Sequence, residues 1–280
     1  MKISDSLRQE MMPEMVYAIC RMAKEAPSKS QIKRLITLGH DGESADQFNK
    51  VYQFALACEF IQESGDGTVN TSFSDLELSS FRRFRYAVLS NVFHGPDTNF
   101  TSAAKWYMAE DVPQVTVEGS ASISPFSLNS ASEYQLSFRT QKVIVDENFV
   151  NGFRFWMNAL GLVTFNPLGS ASNARPPLLF AAHRSIQDWL EYEKPFTLGT
   201  LIPARLFFDR LIMDCPVFEK CIRGNNLSSS LSAALRVLDS VGFLELTRVA
   251  DAGDVWHLVP SNFYGKSNDI TNIMVKGGAK

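Results

Sequence analysis

Two short basic clusters contain the residues of this chain that are best suited to binding a ligand. The first cluster combines cations with hydroxyl and amide side chains: Ser28, Lys29, Ser30, Gln31, Lys33 and Arg34. The second cluster alternates arginine with aromatic residues: Phe81, Arg82, Arg83, Phe84, Arg85 and Tyr86. Because cationic and small polar side chains make most contacts to DNA phosphates, both clusters are candidate nucleic-acid contacts. The alternative for each is a solvated helix face, or arginine packed over aromatic rings.

Isolated residues extend this candidate interface. Lys50 lies in a helix that could enter a DNA groove, although Asp46 opposes it there. Arg175 lies in a polar loop, from which one arginine could reach a minor groove. The serines at 228–230 begin another helix, where small polar residues either cap the helix or bind phosphate. Capping is the simpler interpretation of these serines.

The charge of the chain does not favour tight nucleic-acid binding. It has 27 Lys and Arg residues against 30 Asp and Glu, a formal net charge of −3. Nucleic-acid-binding domains usually carry a strong positive excess instead. In each helix that would read DNA, acidic residues balance the basic ones: Asp46 with Lys50, Asp146 and Glu147 with Arg154, and Asp239 with Arg236. These helices alone do not supply the several phosphate contacts that strong binding requires.

The common motifs of enzymes are missing from the sequence. It contains no GxxxxGK[ST] phosphate loop, no GxGxxG after a strand, no HExxH and no GxSxG. The Gly39-His40-Asp41-Gly42 segment is best interpreted as a polar link between two helices. The remaining histidines are scattered: His94, His183 and His257. We therefore expect a non-enzymatic protein without a cofactor.

The cysteines and the hydropathy pattern predict a cytoplasmic protein. Cys20 and Cys58 fall on apolar helix faces, while Cys215 and Cys221 lack the spacing of a zinc knuckle. We therefore expect free thiols in a reducing compartment and no metal. The first fifteen residues have no apolar stretch typical of a signal peptide. No apolar run approaches the roughly 20 residues of a membrane span, so no membrane association is expected.

Three segments share one order of predicted elements. Residues 47–73, 148–181 and 228–260 each contain an amphipathic helix, a short strand, a polar loop and a second strand. Gly161 and Gly242 occupy positions where a helix end favours a left-handed residue. The loops GDG, NPLGSASNARP and ADAGD separate the paired strands, so each segment is predicted to end in a β-hairpin.

Further helices are predicted before each segment. A stripe of apolar residues between 12 and 23 predicts the first, and Ser28 with Gln31 has the spacing of a capping box for the second. Residues 79–93 predict a helix in the middle of the chain, whereas 96–132 reads as irregular. Residues 201–213 and 217–222 predict two helices before the third segment, and the residues after 262 predict a polar, flexible tail.

The patterns RVLDSVGFLEL and ALACEFIQES resemble the junctions between recognition helix and wing in tandem winged-helix proteins. This resemblance implies an α+β fold, mainly helical, built as an array of helix-turn-helix units with β-hairpins. The implied domains are an N-terminal winged helix at 1–73, a central region at 74–198 with a possible second unit, and a C-terminal winged helix at 199–262, followed by the tail at 263–280. Such proteins include transcription regulators, paired subunits of chromosome-structuring complexes and accessory components of prokaryotic defence or DNA-modification clusters. Size and arrangement favour the last group.

The resemblance and the basic clusters together predict a DNA-binding protein that acts with protein subunits of a larger complex. A helix-turn-helix reads DNA by placing its second helix in the major groove, while nearby cations hold the phosphates. The alternative is a winged-helix scaffold that bridges proteins and does not bind DNA. A homodimer is compatible with either function.

Overall fold

A computed structural model of the chain describes residues 1–3, 7–8, 10–26, 28–40, 42–109, 147–165, 178–250, 253–261 and 264–277. The fold is mixed α+β, with about half of the described residues in helices and with small, mostly antiparallel sheets. Two compact units are present. One contains the described residues up to 102 together with 147–160, and the other contains 103–109 together with 161–277. The three modules inferred from the sequence stay a prediction.

The first unit begins with three helices and a hairpin. The elements are α1 (Pro13–Glu25), α2 (Lys29–Ile36), α3 (Glu43–Ala57), β1 (Ile61–Glu63) and β2 (Val69–Thr71). Pro13 occupies the first turn of α1, where its missing N–H costs nothing. Ser28 caps α2 by accepting a hydrogen bond from the Gln31 amide at 3.4 Å. The hairpin turns at Gly67, whose φ of +81° is readily adopted by glycine.

Two later helices complete this unit. They are α4 (Phe81–His94) and α6 (Glu147–Ala159), and between them α5 (Asn99–Ala109) runs across the division of the two units. Trp156 of α6 lies in the core, with its ring centroid 5.8 Å from that of Phe54 and 6.0 Å from that of Phe60. Its indole N–H donates a hydrogen bond to the Met11 carbonyl at 2.8 Å, so the core includes the chain before α1.

The second unit alternates short strands with helices. It contains β3 (Val163–Phe165), β4 (Leu178–Phe180), α7 (His183–Tyr192), β5 (Leu201–Pro203), α8 (Ala204–Asp214), a 3-10 helix (Pro216–Cys221), β6 (Ile222–Arg223), β7 (Asn226–Leu227), α9 (Ser229–Ser240), β8 (Leu244–Thr247), β9 (Trp256–His257), β10 (Asp269–Ile270) and β11 (Asn272–Val275). One sheet has the order β5-β11-β8, and another has the order β10-β9-β7-β6. Helix α9 packs against α7 and against β8.

Aromatic side chains form the core of the second unit. Trp189 meets Phe207 edge to face, with ring centroids 5.4 Å apart. Its indole N–H donates to the Asp214 carboxylate at 2.8 Å, which satisfies the polar atom of a fully buried side chain. Phe208 extends the cluster to Trp256, at a centroid distance of 4.6 Å.

Most of the predicted helices form, but two predictions in the middle of the chain are wrong. Residues 99–109, expected to be irregular, form α5. Their Thr residues stabilise its beginning, because Thr98 and Thr101 exchange side chain to backbone hydrogen bonds of 2.8 and 3.3 Å. Residues 201–203, expected to be helical, form β5 instead, and the helix begins only after Pro203. Residues 110–132, the remainder of the segment expected to be irregular, lie outside the described residues.

The partner of β8 also differs from the prediction. The sequence predicts that β8 pairs with a strand that begins directly after the ADAGD loop. In the structure, β8 pairs with β11 over four residues. Trp256-His257, where the predicted second strand begins, pairs with β10 and β7.

The expectation of a flexible tail is wrong for 269–275, because these residues form β10 and β11. Strand β11 forms because Ile273 and Val275 alternate with more exposed residues and are almost fully buried.

Gly152 of α6 offers a test of the packing in the first unit. A Cβ atom at this position would lie 2.7 Å from Leu7 Cγ and 2.8 Å from the Arg8 carbonyl oxygen. We expect Gly152→Ala to lower the free energy of unfolding by about 1–3 kcal/mol, since the added methyl group overpacks the contact. Urea denaturation measures the change.

Gly65→Ala is the control, because a Cβ atom there has no neighbour within 4 Å. Its free energy of unfolding should change by less than about 0.5 kcal/mol. If Gly152→Ala instead stabilised the protein by about 1 kcal/mol, as helix propensity alone predicts, the close packing of α6 on residues 7–8 would be contradicted.

Candidate nucleic-acid interface

The α2–α3 surface, defined here as the exposed faces of these two helices, carries most of the predicted site residues. They are Ser28, Lys29, Ser30, Gln31, Lys33 and Arg34 on or beside α2, and Lys50 on α3. Ile32 faces the core and is fully buried, so its neighbours are turned outward. The short α2 thus presents hydroxyl, amide and cationic groups together.

A recess of about 280 Å³ lies at the C-terminal half of α2. It is lined by Ser30, Lys33, Arg34, Thr37, Gly39 and His40. Gly39, with φ of +78°, lets the chain turn back beside the helix. Arg34 and His40 are exposed, while Lys33 is half-buried. Two permanent cations at one small recess can contact a single phosphate group.

Two predicted cations are already engaged within the protein. The Lys29 ammonium lies 4.9 Å from the centroid of the Tyr52 ring, at cation–π distance. The Lys50 ammonium lies 3.5 Å from a carboxylate oxygen of Glu10. Because both side chains retain considerable exposure, these contacts position them without removing them from the surface.

Helix α3 presents an exposed polar face. Gln47, Lys50 and Gln53 follow one another at intervals of three residues, and all are exposed. Glu43 and Asp46 occupy the first turn of the same helix. The face therefore combines amide groups, which can read base edges, with a balanced charge.

The hairpin next to α3 is acidic. Glu63 ends β1 and accepts a hydrogen bond from the Tyr52 hydroxyl at 3.1 Å. Burial raises the pKa of Tyr52, and its hydrogen bond to Glu63 raises that pKa further. Asp66 in the turn accepts a hydrogen bond from the Thr68 amide, which lowers the pKa of this exposed carboxyl. The hairpin is thus negatively charged and would repel a phosphate backbone.

The arginines of α4 are not freely exposed. Arg82, Arg83 and Arg85 are half-buried, and each has an interaction within the protein. The aromatic residues between them pack against α1, since Phe81 and Phe84 both contact Tyr17, with ring centroids 5.6 and 5.2 Å away. This environment agrees with the packed alternative for the second basic cluster. Arg175 lies outside the described residues.

One face of α9 is covered by later segments of the chain. Ser232 accepts a hydrogen bond from the Val259 amide at 3.0 Å. Arg236 donates to the Val259 carbonyl and to Asn268 Oδ1. Asp239, one turn further, accepts from Lys266 and Tyr264. These residues have the spacing of a single helix face, so that face is unavailable to a DNA groove.

Asp239 is the electrostatic centre of this covered face. Its carboxylate accepts hydrogen bonds from Lys266 Nζ at 2.6 Å, the Tyr264 hydroxyl at 2.8 Å and the Leu246 amide at 3.1 Å. Burial raises the pKa of Asp239, but these hydrogen bonds outweigh it and hold the pKa below its usual value. Tyr264 shows the reverse effect, because burial and its bond to the carboxylate raise the pKa of the phenol.

Sequence reasoning missed the role of this face. Asp239 and Arg236 were balancing charges on a helix expected to be exposed, yet Arg236 binds Val259 and Asn268 while Asp239 binds Tyr264 and Lys266. The available signal was their spacing with Ser232, which places three polar residues in line on one face of the helix. The exposed remainder of α9 is small and lacks cations, since Val237 and Ser240 are its most exposed residues.

The thiols are packed as small apolar groups. All four cysteines are free and buried. Burial raises the pKa of Cys20 to about 12 and that of Cys221 to about 11, so neither is a reactive thiolate at neutral pH. Among the described residues, no group of three His, Cys, Asp or Glu residues could hold a metal ion. No helix within the described ranges is long and apolar enough to span a membrane.

Comparison with known proteins identifies one family. The family model described as DpdG-like matches residues 7–252, most of the chain. The searches of curated proteins and of solved structures found no match. The family match is consistent with a component of a prokaryotic DNA-modification cluster.

The covered face of α9 gives a prediction about stability. Asp239→Asn removes the charge that Lys266 and Tyr264 bind, and should lower the free energy of unfolding by about 1.5–3 kcal/mol, because charge-assisted hydrogen bonds of a buried carboxylate are lost. Because the folded-state pKa of Asp239 is depressed, its contribution is fully present above the unfolded value of about 3.9 and is lost as pH falls through the folded value. Chemical denaturation at several pH values should show the difference from wild type shrinking below about pH 4.

Glu245→Gln is the matched control. Glu245 also pairs with a lysine, Lys276, at 2.5 Å, but both side chains are well exposed. Loss of this ion pair should lower the free energy of unfolding by less than about 1 kcal/mol. Equal effects of the two substitutions would contradict the proposed importance of burial around Asp239.

Proposed function

The chain belongs to the DpdG-like family, and from this premise we propose that it is a non-enzymatic, winged-helix DNA-binding protein that acts with partner proteins in a prokaryotic DNA-modification cluster. The observation that carries the DNA-binding part is the α2–α3 surface. There α2 carries a cationic recess, and α3, the next helix along the chain, carries an exposed polar face.

The element order of the first unit supports a winged helix. Three helices are followed by the antiparallel hairpin β1-β2, in which Ile61 pairs with Thr71. An isolated bridge between Ser28 and Thr68 brings the chain before α2 alongside β2. This places a third extended segment at the hairpin. In such a unit α3 is the recognition helix, and α2 crosses the DNA backbone.

The second unit supports the same module in a modified form. Its elements α7, β5, α8, α9, β8 and β11 follow the order of a winged helix, with residues 248–271 inserted between the two wing strands. In the sheet β5-β11-β8 the strand before α8 pairs with the last strand. The insertion covers α9, and this unit therefore takes no part in the proposed reading of DNA.

The chemistry of the first unit fits the two tasks of DNA recognition. Lys33 and Arg34 would contact phosphate, whereas Gln47 and Gln53 would reach base edges, for which side-chain amides are suitable donors and acceptors. Glu63 and Asp66 in the hairpin oppose this binding. We therefore expect modest, strongly salt-dependent affinity, which partner proteins would increase.

A protein-bridging scaffold is the second candidate function. Leu35 and Leu38 favour it, because they are 50% and 81% exposed beside the cationic recess. Exposed leucines at the end of a polar helix are suited to a protein partner. The two functions are separable, since this contact uses leucines and the DNA contact uses cations.

The DNA-binding proposal predicts a specific loss. The double substitution Lys33→Glu with Arg34→Glu should weaken binding of a fluorescent DNA duplex by about tenfold or more at low salt, because two phosphate contacts become repulsive. Fluorescence anisotropy across a salt series measures this, and the slope of log affinity against log salt should become shallower.

Arg205→Glu with Lys220→Glu is the matched control. Both residues are exposed on the second unit, and the pair changes the net charge by the same amount. Its DNA affinity should stay close to that of wild type. Equal weakening by both pairs would show a non-specific charge effect, and absence of wild-type binding at low salt would leave the scaffold function as the better account.

A further inference from the structure

The second unit contains a cleft of about 730 Å³ that has no part in the DNA-binding proposal. It lies where β7, β9 and the residues before β10 approach the beginning of α9. Its polar lining includes Arg223, Asn226, Ser228, His257, Asn268 and Asp269. Leu258, Val259 and Pro260 contribute apolar surface. The volume is in the range of small-molecule sites, and the lining is more polar than is usual for them.

Among the described residues of the lining, the one carboxylate is that of Asp269, and its neighbours neutralise it. Asp269 Oδ1 lies 2.8 Å from His257 Nδ1, and its other oxygen lies 2.7 Å from Arg248 Nη1. Both oxygens thus have donors already. Because the Asp269 charge is compensated, the guanidinium group of Arg223 gives the cleft a positive charge.

Several side chains of the lining have hydrogen-bond donors that remain for a ligand. Arg223 uses one guanidinium N–H on the Ala109 carbonyl at 3.2 Å, and a guanidinium has five. His257 binds the Asp269 carboxylate through Nδ1–H, which holds the ring in place, and in the doubly protonated ring Nε2–H is a further donor for a ligand. Asn268 accepts from Arg236 at its Oδ1, so its amide NH₂ group remains as a donor. Such a set favours an anionic ligand.

We propose that this cleft binds a nucleoside monophosphate group, with its phosphate at Arg223 and His257. Arginine matches the geometry of phosphate oxygens, and the N-terminal end of α9 at Ser228 adds favourable partial charge. A bare phosphate would fill little of the cleft, whereas a nucleoside would use its remaining volume. The amides of Asn226 and Asn268 are suited to hydrogen bonds with a base or sugar.

Isothermal titration calorimetry of the full chain with dAMP, deoxyadenosine and inorganic phosphate tests this assignment. We expect dAMP to bind at least about tenfold more tightly than deoxyadenosine or phosphate alone. Arg223→Gln and His257→Gln should each weaken dAMP binding by about tenfold or more. Arg223→Lys, which keeps the charge but loses the planar fork, should weaken it less.

Arg205→Gln is the control, because Arg205 is an exposed arginine of the same unit outside the cleft. Its dAMP affinity should equal that of wild type. If Arg223→Gln fails to fold, as judged by thermal unfolding, His257→Gln decides the question, since this side chain is 48% exposed. Undetectable dAMP binding at millimolar concentration, or unchanged binding by the folded variants, would overturn the proposal.

A monophosphate can be free or can end a nucleic-acid strand. A short single-stranded oligonucleotide with a 5′-phosphate, compared with the same strand ending in a hydroxyl, distinguishes these sources. Tighter binding of the phosphorylated strand than of dAMP identifies a strand end, and the reverse identifies a free nucleotide. The Lys33/Arg34 variant should keep its dAMP affinity, so this site and the DNA-binding proposal can fail independently.

Discussion

The carboxylate of Asp239 joins three parts of the second unit at one point. Its donors come from β8 and from the segment before β10, while the residue itself belongs to α9. A buried carboxylate must be paired, because an uncompensated charge costs several kcal/mol, roughly 3–5 for a broken buried pair. This requirement holds Tyr264 and Lys266 against the helix. The arrangement of α9, the inserted segment and the cleft beside them all depend on it.

Under the proposed function, the covered helix gives the two units different tasks. In the first, α3 exposes a polar face and the preceding helix α2 carries the cations. In the second, the corresponding surface of α9 is used internally by Ser232, Arg236 and Asp239. Under the two proposals, the same order of elements would present a surface for DNA in one unit and a small-molecule cleft in the other. The chain belongs to the DpdG-like family, which is consistent with a component of a DNA-modification cluster.

Local features of the fold were predictable from the sequence. The capping residue Ser28, the helix at Phe81–His94 and the β1-β2 hairpin follow from signals within a few residues. The pairing of β11 with β5 and β8 was not predictable from local sequence patterns. The residues that pair between β11 and β5, for example, are about 70 positions apart in the chain. The basic residues of α2 stay predicted contacts, of which Arg34 is exposed whereas Lys29 and Lys33 are half-buried. The engagement of Lys29 with Tyr52 required the tertiary structure.

Hydrogen exchange with mass spectrometry, with and without a DNA duplex at low salt, tests the central claim most directly. The account predicts that DNA slows exchange in peptides covering 28–40 and 43–57, since α2 and α3 would be ordered and shielded by the duplex. Peptides covering α9 should exchange at the same rate in both conditions, because the inserted segment already covers that helix. Protection centred on residues 229–240, with none on α2 or α3, would contradict the assignment of DNA binding to the first unit.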